Sequence, residues 1–155
     1  KIWDAGTGVV IHTLEGHTSG VFSASFNPDG KLVVTASWDK TAKIWNVSDG
    51  EELKTLDHTT FVTSASFSRD GTKVLTASGN TAKIWDISDG KVIHTLAGHS
   101  NAVNSASFSP DGKLVVTASF DKTAKIWDLC VLIPDKMGED CDDDDTAGAG
   151  AEPVD

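Results

Sequence analysis

Several features that mark other classes of protein are scarce in this chain of 155 residues. It has no run of 18 apolar residues and no apolar leader, so we expect no membrane segment and an intracellular, cytoplasmic location. Basic residues number 13 against 23 acidic ones and are scattered, which argues against nucleic-acid binding through a positive face. The two cysteines, Cys130 and Cys141, are too few for a zinc site. Without a secretory context we expect them to be free thiols.

Catalytic signatures are also missing. The sequence contains no Gly-rich phosphate loop and no kinase-like motif. No segment shows a sustained helical period, which predicts an all-β chain. We therefore expect a protein that is not an enzyme and that has no cofactor, no metal site and no small-molecule substrate.

What the chain does have is a repeat. Nearly the same tetrapeptide occurs four times, as Lys1-Ile2-Trp3-Asp4, Lys43-Ile44-Trp45-Asn46, Lys83-Ile84-Trp85-Asp86 and Lys125-Ile126-Trp127-Asp128. Residues 12–45 and 94–127 align without a gap, with 27 identities in 34 positions. A period of 40 to 42 residues is typical of tandem four-stranded units rather than helical repeats.

The strands of one unit can be located from their turns. We predict strands at residues 20–26, 31–37, 41–45 and 51–56. The first strand ends at Asn27-Pro28-Asp29-Gly30, in which Pro presets φ and Gly takes a positive φ. The second strand is a β-branched run, and Trp38-Asp39-Lys40 then reverses the chain into the third.

Gly16-His17 before the first strand, the two Asp-Gly turns and Ile44-Trp45 at the end of the third strand together resemble the WD-repeat β-propeller family. The resemblance covers residues 1–128. It implies blades of four antiparallel strands, three blades' worth, in a partial or open propeller. The predicted units are residues 1–11 (the end of a preceding repeat and the start of the first complete unit), 12–50, 51–90 (degenerate), 91–128, and a tail, 129–155.

The resemblance also implies a network of Trp, Thr, His and Asp side chains that staples each blade. Its members are His17, Thr35, Asp39 and Trp45 in the first unit, His58, Thr76 and Trp85 in the second, and His99, Thr117, Asp121 and Trp127 in the third. An indole N–H only donates, whereas a hydroxyl and an imidazole both donate and accept, so every polar atom can be paired. A Thr, a His and an Asp together could also form the catalytic triad of a hydrolase. A catalytic triad is not expected to occur twice in one chain, each time beside a Trp, which disfavours this interpretation.

The middle unit departs from the pattern. Its turn reads Ser78-Gly79-Asn80-Thr81 and lacks the Asp. We expect its network to be open at one end and its blade to be the least stable of the three.

The tail carries most of the net charge. Residues 1–128 hold 14 acidic and 12 basic side chains, whereas residues 129–155 hold nine acidic and one basic. Such a segment cannot bury enough surface to offset chain entropy, so we expect it to be disordered. It is either an acidic attractant for a basic partner or a solubilising end.

Three blades are too few to close a ring, since propellers have four to eight. Either further repeats precede this sequence, or two chains combine into a ring of six. In the second case the strand at residues 9–14 of one chain completes the last blade of the other. The apolar segment 129–134 stands where a fourth strand is expected and could act as a poor local substitute.

Propellers of this family are rigid platforms whose rim binds proteins or peptides, so we expect a protein-interaction scaffold. The residues expected to face a partner are Gly20, Phe22, Trp38, Phe61, Thr63, Ala102, Asn104 and Phe120. For Trp38 and Phe120 the alternative is a ring lying over the next blade's loop. The alternative functions are a regulatory or sensory segment of a larger enzyme, such as a kinase or an NTPase, and a structural assembly subunit.

Overall fold

The computed structural model describes residues 1–137 and Cys141. Thirteen strands and two short helices occur in this part of the chain. The strands are β1 (Ile2–Trp3), β2 (Val10–His12), β3 (Val21–Phe26), β4 (Leu32–Ser37), β5 (Thr41–Asn46), β6 (Glu52–Asp57), β7 (Val62–Phe67), β8 (Lys73–Ser78), β9 (Thr81–Asp86), β10 (Val92–Ala97), β11 (Val103–Phe108), β12 (Leu114–Ser119) and β13 (Ala124–Asp128). The helices are α1 (Leu129–Leu132) and α2 (Pro134–Met137). The predicted β architecture is confirmed, and neither helix of the described residues is long enough to cross a bilayer.

The strands form three antiparallel blades and a small fourth sheet. Blade 1 has the order β3-β4-β5-β6, blade 2 the order β7-β8-β9-β10, and blade 3 has only β11-β12-β13. A separate pair, β1 and β2, precedes them. The predicted partial propeller is therefore confirmed, with two four-stranded blades and one three-stranded blade.

The turn after β3 shows how local chemistry sets the strand ends. Gly30 has a φ of 73°, in the left-handed region that favours glycine. Its N–H donates to the carbonyl of Asn27 at 3.0 Å. The side-chain oxygen of Asn27 in turn accepts from the backbone N–H of Leu32 at 2.9 Å. The turn thus pairs its own backbone groups and fixes the register of the β3–β4 hairpin.

The core lies between the blades rather than within one sheet. Each blade has a leading face, directed toward the preceding blade, and a trailing face, directed toward the next. Val34 and Ile44 on the trailing face of blade 1 pack with Val62 and Ala65 on the leading face of blade 2. The equivalent residues of blades 2 and 3 pack in the same way, namely Leu75, Ile84, Val103 and Ala106. Blade stacking therefore supplies most of the apolar burial.

The segment after β13 differs from the sequence-based expectation. Residues 129–132 form α1 instead of a substitute fourth strand, and Asp128 caps this helix by accepting from the N–H of Val131. Leu129 and Ile133 are buried in the cluster between blades 2 and 3. The expectation of a disordered tail that begins at residue 129 is therefore wrong for residues 129–137, because the apolar residues Leu129 and Ile133 find a site to fill between blades 2 and 3. The rest of the predicted tail, residues 138–155 except Cys141, lies outside the described residues.

The cysteines also differ from the expectation. Cys130 of α1 and Cys141 are joined by a disulfide that closes a loop across 11 positions of sequence. The expectation of two free thiols is wrong, because it rested on the lack of a secretory context in the sequence and not on where the chain brings the two sulfurs.

Candidate protein-interaction surface

A β-bulge at the start of each blade's first strand displays one side chain at the blade end. In blade 1 the register shifts between Val21 and Ser23, which leaves Phe22 as the extra residue. The same shift leaves Thr63 unpaired in blade 2 and Asn104 in blade 3. A bulged residue is released from the alternation of the strand, so its side chain can point away from the blade.

The turn between β4 and β5 displays a second side chain beside the first. Trp38 donates its backbone N–H to the carbonyl of Gly20 at 3.0 Å. Lys40 takes a φ of 70°, an uncommon value for a residue other than glycine. In blade 3 the backbone N–H of Phe120 donates to the carbonyl of Ala102 at 2.9 Å. Gly20 and Ala102 therefore anchor the turn through their carbonyls.

A network of buried polar side chains holds the turn of blade 1 in this shape. The Trp45 indole N–H donates to Thr35 Oγ1 at 2.8 Å. The Nε2 atom of His17 lies 2.6 Å from the same oxygen, and its Nδ1 atom lies 2.7 Å from Asp39 Oδ2. The structure thus brings together the four residues that the sequence singled out.

Two carboxylate contacts in this network were not identified from the sequence. Thr41 donates its hydroxyl to Asp39 Oδ1 at 2.6 Å and its backbone N–H to the same oxygen at 2.9 Å. Thr123 makes the same two bonds to Asp121 in blade 3, at 2.6 and 2.8 Å. The available signal was the sequence Asp-Lys-Thr, which occurs at both turns.

Hydrogen bonding keeps both turn carboxylates ionised. Burial opposes ionisation of Asp39, but donors from Thr41, His17 and Thr18 outweigh it and hold the pKa of Asp39 well below its usual value. The Thr123 hydroxyl, together with His99 and backbone donors, likewise lowers the pKa of Asp121. An ionised carboxylate only accepts, so in blade 1 the Nδ1–H of His17 donates to Asp39.

Blade 3 repeats this arrangement. His99 Nδ1 lies 2.7 Å from Asp121 Oδ2, and His99 Nε2 lies 2.8 Å from Thr117 Oγ1. The indole of Trp127 donates to Thr117 Oγ1 at 2.9 Å.

Blade 2 closes its network by another route. The Thr76 hydroxyl donates to His58 Nε2 at 2.8 Å and accepts from the Trp85 indole N–H at 2.8 Å. His58 Nδ1 donates to the backbone carbonyl of Leu56 at 3.0 Å. The expectation of an open end is therefore wrong, because a backbone carbonyl takes the place of the missing carboxylate. Burial lowers the pKa of His58 to about 4, so this ring is neutral at physiological pH.

The same geometry argues against a hydrolase. Thr35 is buried, and its oxygen already accepts the Trp45 indole proton. A nucleophile has to reach a substrate, and this hydroxyl faces the interior of a blade. In the part of the chain that the structure describes, no group of three or more His, Cys, Asp or Glu side chains could hold a metal ion.

Three of the predicted partner-facing residues form one cluster, which we call the aromatic patch: Phe22, Trp38 and Phe61. The ring centroids of Phe22 and Trp38 are 4.7 Å apart, and those of Trp38 and Phe61 are 6.0 Å apart. The Trp38 ring contacts Phe61 just before β7 of blade 2, close to the alternative in which it lies over the next blade's loop. Even so, 55% of Trp38 is exposed. The patch spans blades 1 and 2 because the bulge and turn of blade 1 lie next to the residue that precedes β7, the first strand of blade 2.

The other predicted positions are dispersed. Phe120 and Asn104 are exposed in blade 3. Thr63 is not free for a partner, since its hydroxyl donates to the carbonyl of Val103 at 2.9 Å across the blade boundary. Blade 2 has no aromatic residue on its turn, where Gly79 stands in place of Trp38.

Sequence comparisons agree with this architecture. The family model described as WD domain, G-beta repeat matches residues 8–46, 50–86 and 90–128. Nuclear distribution protein PAC1 of Arthroderma benhamiae is 44% identical over 48 residues, which is 31% of this chain and 10% of that protein. Periodic tryptophan protein 2 homolog of Schizosaccharomyces pombe is 46% identical over 46 residues, 30% of this chain and 5% of that protein.

A human relative, WD repeat and SOCS box-containing protein 1, is 45% identical over 58 residues, which is 36% of this chain and 14% of that protein. The matched part of the chain therefore spans a small fraction of each relative's length. The family model, in contrast, covers most of this chain, repeat by repeat, and its three matches contain the blades and networks described above. The chain belongs to the WD-repeat family.

Proposed function

We propose that this chain is a protein-interaction scaffold that binds a peptide or a protein segment through the aromatic patch. The observation that supports the proposal most strongly is the contact of three partly exposed aromatic rings on two adjoining blades. Aromatic side chains dominate the binding energy of many interfaces. Members of this family generally act as interaction or regulatory platforms, which agrees with this assignment.

The patch is suited to binding because its rings are held in place before a partner arrives. Trp38 stands on a turn whose backbone is fixed by Asp39 and by the Gly20 carbonyl. Phe22 stands on a bulge inside a hydrogen-bonded sheet. A preorganised surface loses less conformational entropy on binding. The expected partner inserts an apolar or aromatic side chain between or against these rings.

The test is selection of peptides from a displayed random library on the purified chain. Binding of the selected peptides is then measured by calorimetry for the wild type and for Trp38→Ala. Loss of a central Trp typically costs 2 kcal/mol or more, so we expect affinity to fall by about 30-fold or more. Val131→Ala is the matched control, because Val131 is 74% exposed but lies on α1.

Two results would contradict the proposal: failure to select any peptide, or peptides that bind Trp38→Ala as tightly as the wild type. Circular dichroism of the variant checks that the blades remain folded. The alternatives, a regulatory segment of a larger enzyme and a structural assembly subunit, use the same kind of surface. They are distinguished by what the partner is.

Self-association to complete the ring is the second interaction that we propose. It concerns the open faces of blades 1 and 3 rather than the aromatic patch. The observation that favours it is the exposure of Ile126, whose counterparts in the other blades are buried. A cytoplasmic location also remains part of the proposal, and localisation of the tagged protein in cells tests it.

A further inference from the structure

A disulfide closes a loop directly after blade 3. Cys130 lies on α1, and Cys141 follows it by 11 positions. All thirteen strands of the described residues end before residue 129, so this bond joins neither two strands nor two blades. It constrains only the segment that contains α1 and α2. Opening the bond should therefore leave the blades folded.

This segment depends on contacts outside itself for its shape. Each of its helices has only four residues, which is too short to be stable alone. Leu129, which precedes the loop, is tied to blade 3, because its N–H donates to the carbonyl of Lys113 at 2.9 Å. Ile133 lies inside the loop, and its N–H donates to the carbonyl of Leu129 at 2.8 Å. The position of Ile133 thus depends on its own packing and on the disulfide.

Ile133 fills an apolar position at the gap between blades 2 and 3. It is 7% exposed and belongs to the same buried cluster as Leu96 of blade 2. A cleft of about 420 Å³ lies beside it, with Ile133 and Leu132 on one side and Val92 and Ile93 of blade 2 on the other. The position of the loop therefore determines the shape of this cleft.

The disulfide is accessible from solvent. Cys130 and Cys141 are both partly exposed, so a thiolate can approach the bond. Reductants in the cytoplasm keep most thiols free, and the disulfides that occur there are usually transient or redox-sensing. An accessible bond that holds a short segment, and no part of the blades, has the properties of a disulfide that opens and closes.

We propose that Cys130 and Cys141 form a reversible redox switch that controls the docking of Ile133 between blades 2 and 3. The proposal goes beyond the interaction function and rests only on the proposed cytoplasmic location. When the bond is closed, the loop holds Ile133 in the gap. When the bond is open, Ile133 leaves the gap far more often, whereas Leu129 stays anchored to blade 3.

The chemistry needs reagents of two classes, a small thiol such as glutathione and a peroxide. One thiolate attacks the disulfide to form a mixed disulfide and releases one cysteine, which takes up a proton. A second thiolate attacks the mixed disulfide, releases the other cysteine and leaves as the oxidised small-molecule disulfide. For closure, hydrogen peroxide oxidises one cysteine to a sulfenic acid with loss of water. The other cysteine then displaces a second water and re-forms the bond.

The first test is amide hydrogen exchange of the full chain, read by mass spectrometry in the oxidised form and after reduction with dithiothreitol. Removing the cross-link from a loop of this size should favour its opening on the order of 100-fold, by the chain-entropy model. The amide of Ile133 should exchange faster by about that factor, because exchange follows local opening. The amides of β4, β5, β8 and β9 should keep their rates.

The matched control is the double variant Cys130→Ser with Cys141→Ser, which cannot form the bond. Both positions are partly exposed, so the small change of atom should be tolerated. Its Ile133 amide should exchange like that of the reduced wild type, with or without dithiothreitol. The comparison of oxidised with reduced wild type stands by itself if the variant does not fold.

The second test asks whether the bond responds to its reagents. Free thiols are counted by alkylation and mass spectrometry. An excess of reduced glutathione should open most of the pairs, and hydrogen peroxide should close them again. In cells, the tagged chain should have a reduced pair that becomes oxidised after peroxide treatment.

The third test separates a local opening from a change in assembly, because cysteines of two molecules can also link to each other. Size exclusion with light scattering gives the mass of the oxidised and the reduced chain. The mass should be the same in both forms. The same measurement tests the proposed self-association, which a monomer at micromolar concentration would contradict without touching the switch.

Four results would overturn the switch. An Ile133 amide that exchanges less than about 5-fold faster after reduction would show that packing alone holds the loop. Loss of protection in the blades would make the bond a structural cross-link. A pair that resists glutathione, or that stays oxidised in untreated cells, would not act as a switch in the cytoplasm. Peptides that bind Trp38→Ala as tightly as the wild type would contradict the interaction function alone, so the two proposals fail separately.

Discussion

Replacement of one turn carboxylate tests whether the buried network stabilises the blades. Asp39 accepts four hydrogen bonds, from His17 Nδ1, the Thr18 N–H, and the N–H and hydroxyl of Thr41. In Asp39→Ala all four donors lose their acceptor. The His17 side chain is only 5% exposed, so its Nδ1–H has little access to water.

The loss of stability in Asp39→Ala depends on which of the four donors water can reach. A buried donor left without a partner costs about 1 to 3 kcal/mol. The Thr18 and Thr41 donors lie near the surface and add less, because water can replace the carboxylate. We expect the free energy of unfolding to fall by about 2 to 4 kcal/mol in total. Asp39→Asn keeps an acceptor oxygen but loses the charge, so its loss should be about half as large.

The matched control is Asn80→Ala at the corresponding turn of blade 2. Asn80 is exposed, and His58 donates to a backbone carbonyl instead. This change should therefore stay within about 0.5 kcal/mol of the wild type. Urea unfolding followed by circular dichroism gives both values, and an unchanged m-value shows that the comparison is valid. Equal losses in the two variants would refute the network as the source of this stability.

Three further predictions concern blade 2 and α1. His58 has a pKa lowered to about 4 in the fold against about 6.5 unfolded, so its contribution is complete above pH 6.5 and is lost as the pH falls toward 4. The free energy of unfolding should therefore drop by about 2 kcal/mol from pH 6.5 to 4.5. In His58→Gln this dependence on pH should be weaker, and an unchanged dependence would contradict the role given to His58. Thr76→Val leaves the indole N–H of Trp85 unpaired and should cost about 2 kcal/mol by urea unfolding, whereas a neutral effect would mean that this bond is not stabilising. Leu129→Ala should lower stability by 2 to 5 kcal/mol. The exposed Val131→Ala should leave it within about 0.5 kcal/mol, and similar melting temperatures for these two variants would show that α1 does not belong to the core.

Much of the fold could be predicted from the sequence because its signals are local. The turns at Asn27-Pro28-Asp29-Gly30 and Trp38-Asp39-Lys40 define the β4 strand between them, and the structure places its ends within one residue of the prediction. The network residues of blade 1 were also identifiable, since the resemblance to the WD-repeat family implied Trp45, Thr35 and His17 as members. Thr41 was missed, although Asp-Lys-Thr occurs at both turns, because only the folded turn brings its hydroxyl to the Asp39 carboxylate.

The features that could not be predicted depend on which segments meet in space. The carbonyl of Leu56 replaces the missing carboxylate of blade 2, and a backbone atom gives no sequence signal. The apolar run at residues 129–133 was compatible with a strand or a helix by composition. The structure places Leu129 and Ile133 in the gap between blades 2 and 3, and that gap exists only after the blades have stacked.

The sequence by itself therefore determined the repeat, the strands and the tight turns, because spacing and turn chemistry act within about 40 residues of chain. Its resemblance to the WD-repeat family added the polar residues that each blade buries. Tertiary structure alone decided what happens between blades and at the ends. It grouped Phe22, Trp38 and Phe61 into one patch, joined Cys130 to Cys141, and left Ile126 uncovered while burying its counterparts. The physical reason is that identical strands acquire different environments from their neighbours, and neighbours are set by packing rather than by the strand's own residues.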